Sequence, residues 1–240
     1  MKVPKFPSIK GVELYLVGGC VRDSLMGQTP KDLDYVMITD KSFEEVVKQI
    51  SETPNCKVFQ AKAEFLTIRC KIQDQIVDLV MPRTEEGYSD HRRPDEVKGT
   101  DSLFEDSKRR DFTINSMYMD KEGTILDYHK GVVDLKNKVI KCVGNPRERF
   151  QEDYLRILRA VRFSCRFGFK IDKSTQNHMI KLSERLTDVE QNRVREELNK
   201  SLKANPKWTM KYIEALNLYK TLSELGLHFE LSSKGGENDK

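Results

Sequence analysis

With 240 residues, 33% charged and 8% aromatic, the chain has the composition of a soluble protein, one large domain or two small ones, able to bury a real core. No apolar run nears a membrane span and the start, Met-Lys-Val-Pro-Lys-Phe-Pro, lacks a signal-peptide core, while five cysteines without a Cys-x-x-Cys point to reduced thiols in a cytoplasmic setting. Scattered histidines speak against a zinc site, and a net charge of +4 argues little by itself for nucleic acid.

The first predicted strand is the apolar run 14–17. Gly18-Gly19 stops it, and 21–26 read as a helical turn. Glycines let a backbone approach a ligand closely, and a strand ending in such a turn at a helix start presents N–H groups that suit a phosphate. Gly19 and Arg22 are therefore candidate nucleotide contacts, Arg22 as a charged fork for phosphate oxygens. Asp32 and Asp34 open a second apolar run, 33–38. On a strand they project from one face, with Leu33 and Tyr35 on the other. Two carboxylates so close repel unless a cation lies between them, and oxygen donors suit Mg²⁺. Alone, Gly-Gly reads as a turn and Asp-x-Asp as a solvated strand edge or cap; their order and close spacing suggest chemistry on a nucleoside triphosphate.

The series Gly-Gly-x-Val-Arg-Asp, Leu-x-Gly, Asp-x-Asp resembles the signature of class II tRNA nucleotidyltransferases (CCA-adding enzymes) and the related bacterial poly(A) polymerases. Further blocks extend the resemblance over roughly residues 12–225. It implies an α+β fold, with a nucleotidyltransferase (polymerase-β-like) mixed-sheet head followed by an all-helical neck. It also implies Mg²⁺ on Asp32 and Asp34, and the 3′ end of tRNA, CTP and ATP as partners.

Residues 41–53 read as a helix with Ser42 as N-cap and Glu45 completing a capping box. Residues 57–60, 65–72 and 76–80 read as strands, the last two joined by a turn at 73–75. Asp78 interrupts the third of these strands. It is either an edge carboxylate facing water or a third acid beside Asp32 and Asp34, assisting the metal or accepting the attacking hydroxyl's proton; the resemblance favours the second. Residues 83–101 read from composition as a mobile surface loop. They resemble the family's flexible loop, including its Asp-His-Arg-Arg-Pro core at 90–94, which favours addition of the complete CCA. The block 108–115, Lys-Arg-Arg-Asp-Phe-Thr-Ile-Asn, reads as an exposed basic helix end. Its resemblance to the family's Arg-Arg-Asp motif implies contacts from Arg110 and Asp111 to phosphate and sugar, with Asn115 one helical turn on and able to hold Asp111. Residues 123–127 and 138–142 read as short strands closing the head.

Between 147 and 166 lie six arginines. Leu155, Leu158, Val161 and Cys165 recur at helical spacing and face a core, while Asp153, Arg156, Arg159 and Arg162 form a polar stripe on the same helix. The stripe is either a solvated face of Asp–Arg pairs or a surface reading base edges: a carboxylate accepting from the amino group of C or A, an arginine donating to a ring nitrogen or carbonyl. Glu-Asp-x-x-Arg-x-x-Arg resembles the family's nucleotide-selecting motif. That assigns Asp153 and Arg156 to the base and Arg159 and Arg162 to support of the site or the triphosphate.

From 173 onward the chain reads as helices, with N-caps at Ser174 and Asp188 and a break at Asn205-Pro206. Residues 193–198 resemble the last family block, a helix start buttressing the base-selecting helix. The expected division is a catalytic head at 1–145, a neck at 146–231 and a disordered tail at 232–240. Family members run on into body and tail domains. Catalysis is expected to survive without them, while tRNA grip and termination after three nucleotides are in doubt and pairing as a homodimer stays open. The expected activity is template-independent addition of C, C and A to tRNA with release of pyrophosphate. Near alternatives are a poly(A) polymerase or a CC-only or A-only enzyme; distant ones are an Asp-x-Asp phosphatase, an Asp-x-Asp glycosyltransferase and a non-catalytic RNA-binding module.

Overall fold

Side-chain alternation along three short strands decides which way the catalytic candidates point. In the computed structural model, which describes residues 6–72 and 75–227, β1 (Glu13–Val17) turns Leu14 and Leu16 into the core. After α1 (Gly19–Leu25), β2 (Leu33–Ile38) turns Tyr35 and Met37 inward beside them, in the register Leu14↔Met37 and Leu16↔Tyr35. Helix α2 (Phe43–Glu52) starts at the expected capping box: Ser42 Oγ accepts from Glu45 N at 3.2 Å and the Glu45 carboxylate accepts from Ser42 N at 2.7 Å. Strands β3 (Cys56–Lys62), β4 (Thr67–Ile72) and β5 (Gln75–Val80) follow. The strand expected from residue 65 begins at 67 instead, because Ala63–Phe65 is a 3₁₀ turn and Leu66 turns left-handed with φ of 51°. Part of the expected 73–75 turn lies outside the described residues.

The segment 83–101 is a departure from the surface loop expected. It is a two-stranded arm, β6 (Arg83–Glu86) paired antiparallel with β7 (Glu96–Gly99). Ion pairs of Arg83 with Glu85 and of Glu85 with Arg109 hold its root, a distant partnership that local composition could not signal. Then come α3 (Leu103–Lys108), a 3₁₀ turn at Thr113–Asn115, β8 (Tyr118–Met119), β9 (Ile125–Leu126), α4 (Gly131–Lys136) and β10 (Val139–Ile140). Among the described residues, seven strands form one mixed sheet in the order β3-β4-β5-β2-β1-β8-β9, with β2 and β5 parallel and the other neighbours antiparallel.

The remainder is largely helical: α5 (Pro146–Glu152), α6 (Leu155–Phe167), the short β11 (Lys170–Ile171), α7 (Lys173–Leu182), a 3₁₀ segment at Ser183–Asp188, α8 (Gln191–Ala204), α9 (Pro206–Ala215) and α10 (Leu218–Glu224). Asp172, not Ser174, caps α7, and α8 begins after Glu190, with Asp188 closing the 3₁₀ segment before it. The break at Asn205-Pro206 is where expected, Asn205 accepting from Trp208 N. One apolar cluster runs without interruption from Leu16 and Leu79 of the sheet through Phe112 and Phe150 to Leu158, Val194 and Leu222 of the helices. β10 also pairs with β11 across position 145, so sheet and helices are packed as one body. All five cysteines are free thiols, four of them buried. Among the described residues no helix is long and apolar enough to cross a membrane.

Candidate active site

The end of β1 builds one wall of the site. Gly18 has φ of +76°, a conformation L side chains rarely adopt, and it turns the chain from β1 into α1. A cleft of about 650 Å³ opens beside it. Gly18, Gly19 and Arg22 line it from the β1–α1 side, Asp34 from β2 and Asp32 from the bend just before that strand, where the sequence had placed both acids on the strand; Arg109, Arg110, Asp111 and Asn115 come from the segment after α3. Asp153, Arg156, Arg159, Arg162, Phe163 and Arg166 line it from α6 and its approach, and Arg193 from α8. Of the residues singled out in the sequence, the cleft gathers Gly19, Arg22, Asp32, Asp34, Arg110, Asp111, Asp153, Arg156, Arg159 and Arg162. Asp78 lies just outside it, one strand over.

Asp34 faces away from the core because Tyr35 and Met37 occupy it. The parallel pairing of β2 with β5 sets Asp78 opposite Asp34, and Asp78 in turn meets Arg69 of β4 at 3.3 Å. Partial burial, then the charge of Asp78, push the Asp34 carboxyl up to about 6; Arg110 pulls against them, by more than the nearby charge of Asp32 adds. Such crowding is relieved by a cation between the carboxylates, and an all-oxygen pair suits a hard divalent ion. Among the described residues no three His, Cys, Asp or Glu side chains gather to cage a metal.

The arginines are not free-swinging. Arg22 is buried, its guanidinium donating to Asp23 (2.7 and 2.9 Å) and to Asn115, and it lies against the rings of Phe163 and Phe167 at 5.3 and 4.7 Å. Arg110 donates to Asp106 at 2.9 Å and to the Tyr118 hydroxyl at 3.2 Å. Burial disfavours the Asp106 carboxylate, yet Arg110 and Arg109 outweigh it and hold the group well below the usual range. Asp111 accepts from Arg159 through two N–H groups (3.0 and 2.5 Å), from Asn115 at 3.1 Å and from Phe112 N at 2.7 Å. These contacts, Arg159 foremost, overcome burial and bring it to about 2. Asn115 therefore does hold Asp111, across a 3₁₀ turn and not along an α-helix.

The expected single helix from 152 to 163 is broken. Asp153 lies between α5 and α6 with extended dihedrals, its carboxylate accepting from Leu155 N at 3.1 Å and from Arg193 at 3.0 Å. An Asp that bonds a backbone N–H two residues on competes with the helix ladder, so the apolar period runs through a real break. Arg156 donates to Glu152 (2.5 Å) and to the carbonyls of Arg149 (3.0 Å) and Arg109 (3.1 Å), and Arg162 donates to Glu197 of α8. The arm reaches this corner too. The His91 ring lies tilted against Tyr154, centroids 4.7 Å apart, and bonds the Gln151 carbonyl at 2.7 Å, and Arg92 meets Glu190 at 3.2 Å.

Sequence reasoning missed the carboxylates that set each arginine, Asp106 and Glu197 above all, and the platform of Phe163, which carries Arg22, Arg159 and Arg162 within 5.5 Å of its ring. The one local signal was an aromatic pair, Phe163 and Phe167, four residues apart among arginines.

Residues 14–141 match the family model described as the poly A polymerase head domain, and 168–226 match that of a probable RNA and SrmB-binding site of polymerase A. The chain is 41% identical over 211 residues to the CCA-adding enzyme of Ligilactobacillus salivarius and 41% identical over 192 residues to that of Bacillus subtilis. These alignments take in 88% and 80% of the chain but 50% and 47% of the relatives, so the chain spans about half the length of the curated relatives it matches. Among solved structures it is similar to the Bacillus stearothermophilus CCA-adding enzyme in complex with CTP: TM-score 0.72, 29% identity, 94% of this chain and 51% of that one. It is similar also to the Thermotoga maritima CCA-adding enzyme complexed with tRNA: TM-score 0.72, 27% identity, 88% and 48%.

Proposed function

The chain belongs to the poly(A) polymerase head-domain family, and from that premise we propose that it is a template-independent nucleotidyltransferase adding C, C and A from CTP and ATP to the 3′ end of tRNA in the cytoplasm. The observation that carries this reading is the meeting, in one cleft, of Asp32 and Asp34, just before and at the start of β2, with arginines from four chain segments.

In this reading Asp32 and Asp34 hold Mg²⁺. Bound there, the ion supplies charge neutralisation for the α-phosphate and for the oxygens that attack and leave. Gly18 and Gly19 let the triphosphate lie close to the backbone, and Arg22, Arg110, Arg159 and Arg162 surround it with positive potential. Because these cations are already fixed by Asp23, Asp106, Asp111 and Glu197, little reorganisation is needed as charge shifts to the leaving pyrophosphate. Asp111 and Arg110 face the sugar and phosphates. Asp78, next to Asp34, assists the acidic pair or takes the proton of the attacking 3′-hydroxyl. Asp153 and Arg156, at the break before α6, meet the base edge in place of a template.

A tRNA transcript ending at its discriminator base, incubated with each nucleotide alone and in combination, tests the reading. CTP alone should add two residues, CTP with ATP three, and Asp32→Ala with Asp34→Ala none. A long tail from ATP alone would make the protein a poly(A) polymerase, and transfer retained by the double variant would place the chemistry elsewhere.

A further inference from the structure

The two faces of the sheet are not alike. One is buried against helices; on the other, α3 covers Val17, Val36 and Tyr118, while the outward positions of β5, β4 and β3 stay open. Register fixes what stands there. A row from the active site runs Asp34, Asp78, Arg69, Gln60. The row on one side is Ile76, Lys71, Lys57, and the row on the other is Val80, Thr67, Lys62. Arg69 is 54% exposed and Ile76 56%, and Phe59, beside a register shift in β3, is 48% exposed with Lys57 Nζ 5.9 Å from its ring centre. These outward positions carry four cations against one carboxylate, Asp78.

The strip also lies on the correct side of the acids. In an in-line displacement the attacking oxygen enters opposite the leaving group. If pyrophosphate departs into the arginine cleft on the β1–α1 side, the incoming strand approaches from the β5 side. From β2 to β3 is three strand spacings, about 14 Å, or roughly four nucleotide steps of a helical strand.

We propose that the outward face of β5-β4-β3 carries the phosphodiester backbone of the acceptor RNA into the active site, with Lys57, Lys62 and Arg69 as phosphate contacts and Phe59 as an apolar face for a ribose or base. The inference rests on the RNA 3′-end reading above. A competing account exists for part of the strip, since lysines on the edge strand β3 guard against strand-to-strand aggregation. It does not extend to Arg69 and Lys71 on β4, which has a neighbour on each side.

The test is tRNA binding by the full chain, read as fluorescence anisotropy of a 5′-labelled transcript over a salt series without nucleotide. Lys57→Glu with Lys62→Glu should weaken binding about tenfold or more and flatten the log K against log salt slope by about two. Lys57→Gln with Lys62→Gln should flatten it in the same direction. A control with equal net charge, Lys48→Glu on α2 with Lys121→Glu in the turn between β8 and β9, both well exposed, should leave both quantities near wild type. In extension assays the strip variant should raise KM for tRNA and leave KM for CTP unchanged. Strip variants that bind with the control's affinity and slope overturn the inference, as do variants that aggregate while their soluble fraction binds normally. A wild-type protein that binds tRNA but never extends it would refute the transferase reading, and the anisotropy comparison would still decide the strip.

Discussion

Removing Arg159 should expose how strongly the arginines and carboxylates of the cleft depend on one another. Asp111 is buried and accepts two N–H groups from Arg159, and no other neighbour does more to keep it ionised. Breaking a buried ion pair by deleting one partner costs about 3–5 kcal/mol. The Arg159 side chain is 34% exposed, so water screens the pair and also rehydrates what remains. Asn115 and Phe112 N continue to bind the carboxylate. A loss of about 2–3 kcal/mol is the consistent expectation for Arg159→Met, or roughly 4–12 °C in Tm for a chain of this length. A double-mutant cycle isolates the pair: in an Asp111→Asn background the same substitution should cost little, giving a coupling energy of about 2 kcal/mol from urea unfolding at pH 7. Asp111 is depressed in the fold, so its contribution is present above the ordinary carboxylate range and is lost as pH falls toward about 2. The Tm gap between wild type and Arg159→Met should therefore shrink as pH falls below about 4. Additive single losses, or a gap unchanged from pH 7 to 3, would refute the coupling.

Three further outcomes follow from the same geometry. Asp34 is raised to about 6, so protons compete with Mg²⁺ up to that pH: affinity by calorimetry should fall about tenfold per unit below 6, and Asp78→Asn, removing a like charge, should move the break to lower pH; affinity flat from pH 5 to 8 would contradict this. Gly131→Ala should destabilise by about 1–3 kcal/mol or more in urea, because its Cβ would lie 2.2 Å from the Thr113 carbonyl oxygen; a neutral effect would show that α4 shifts freely. Asp153→Ala should erode selection among the four nucleotides more than triphosphate affinity, and Arg193→Ala, which releases the same carboxylate, should do so more weakly; equal losses for all four would count against base reading at this corner.

What the sequence disclosed was local. The run 33–38, the glycine turn into α1 and the Ser42 capping box each rest on interactions within a few residues, and the structure has all three. The break at Asp153 escaped notice because the apolar period of α6 is continuous with that of α5, and only a side chain bonded to Leu155 N interrupts the ladder. The arm at 83–101 was hidden because its strands are polar on both faces. Glu85 and Arg83 become strand residues through Arg109 and Asp106, more than twenty positions away. The stripe of arginines was visible, but its meaning was split between two readings that turn out not to exclude each other. The pairs exist, yet those of Arg159, Arg162 and Arg166 reach carboxylates on other elements, Asp111, Glu197 and Asp23, so they organise a cleft instead of decorating a helix.

The direction of the Asp34 carboxylate is a consequence of core packing. Tyr35 and Met37 are fully buried beside Leu16 and Leu14, and with a period of two their burial leaves Asp34 on the other face. A slip of one residue in β2 would bury the carboxylate and expose the tyrosine, so apolar burial holds the acid in place. The one parallel pairing in the sheet then sets Asp78 beside it, because β5 returns to β2 only after α2, β3 and β4 have crossed over. That same excursion lays β4 and β3 outward from the acids, and their inward residues Ile68, Cys70 and Ile72 oblige Arg69 and Lys71 to face the open side. One alternation rule thus fixes both the acidic pair and the basic strip, so a variant that flips β4, such as a single-residue deletion in it, should abolish strip and core together, whereas Lys57→Glu with Lys62→Glu should remove the strip's charge and leave Tm nearly unchanged.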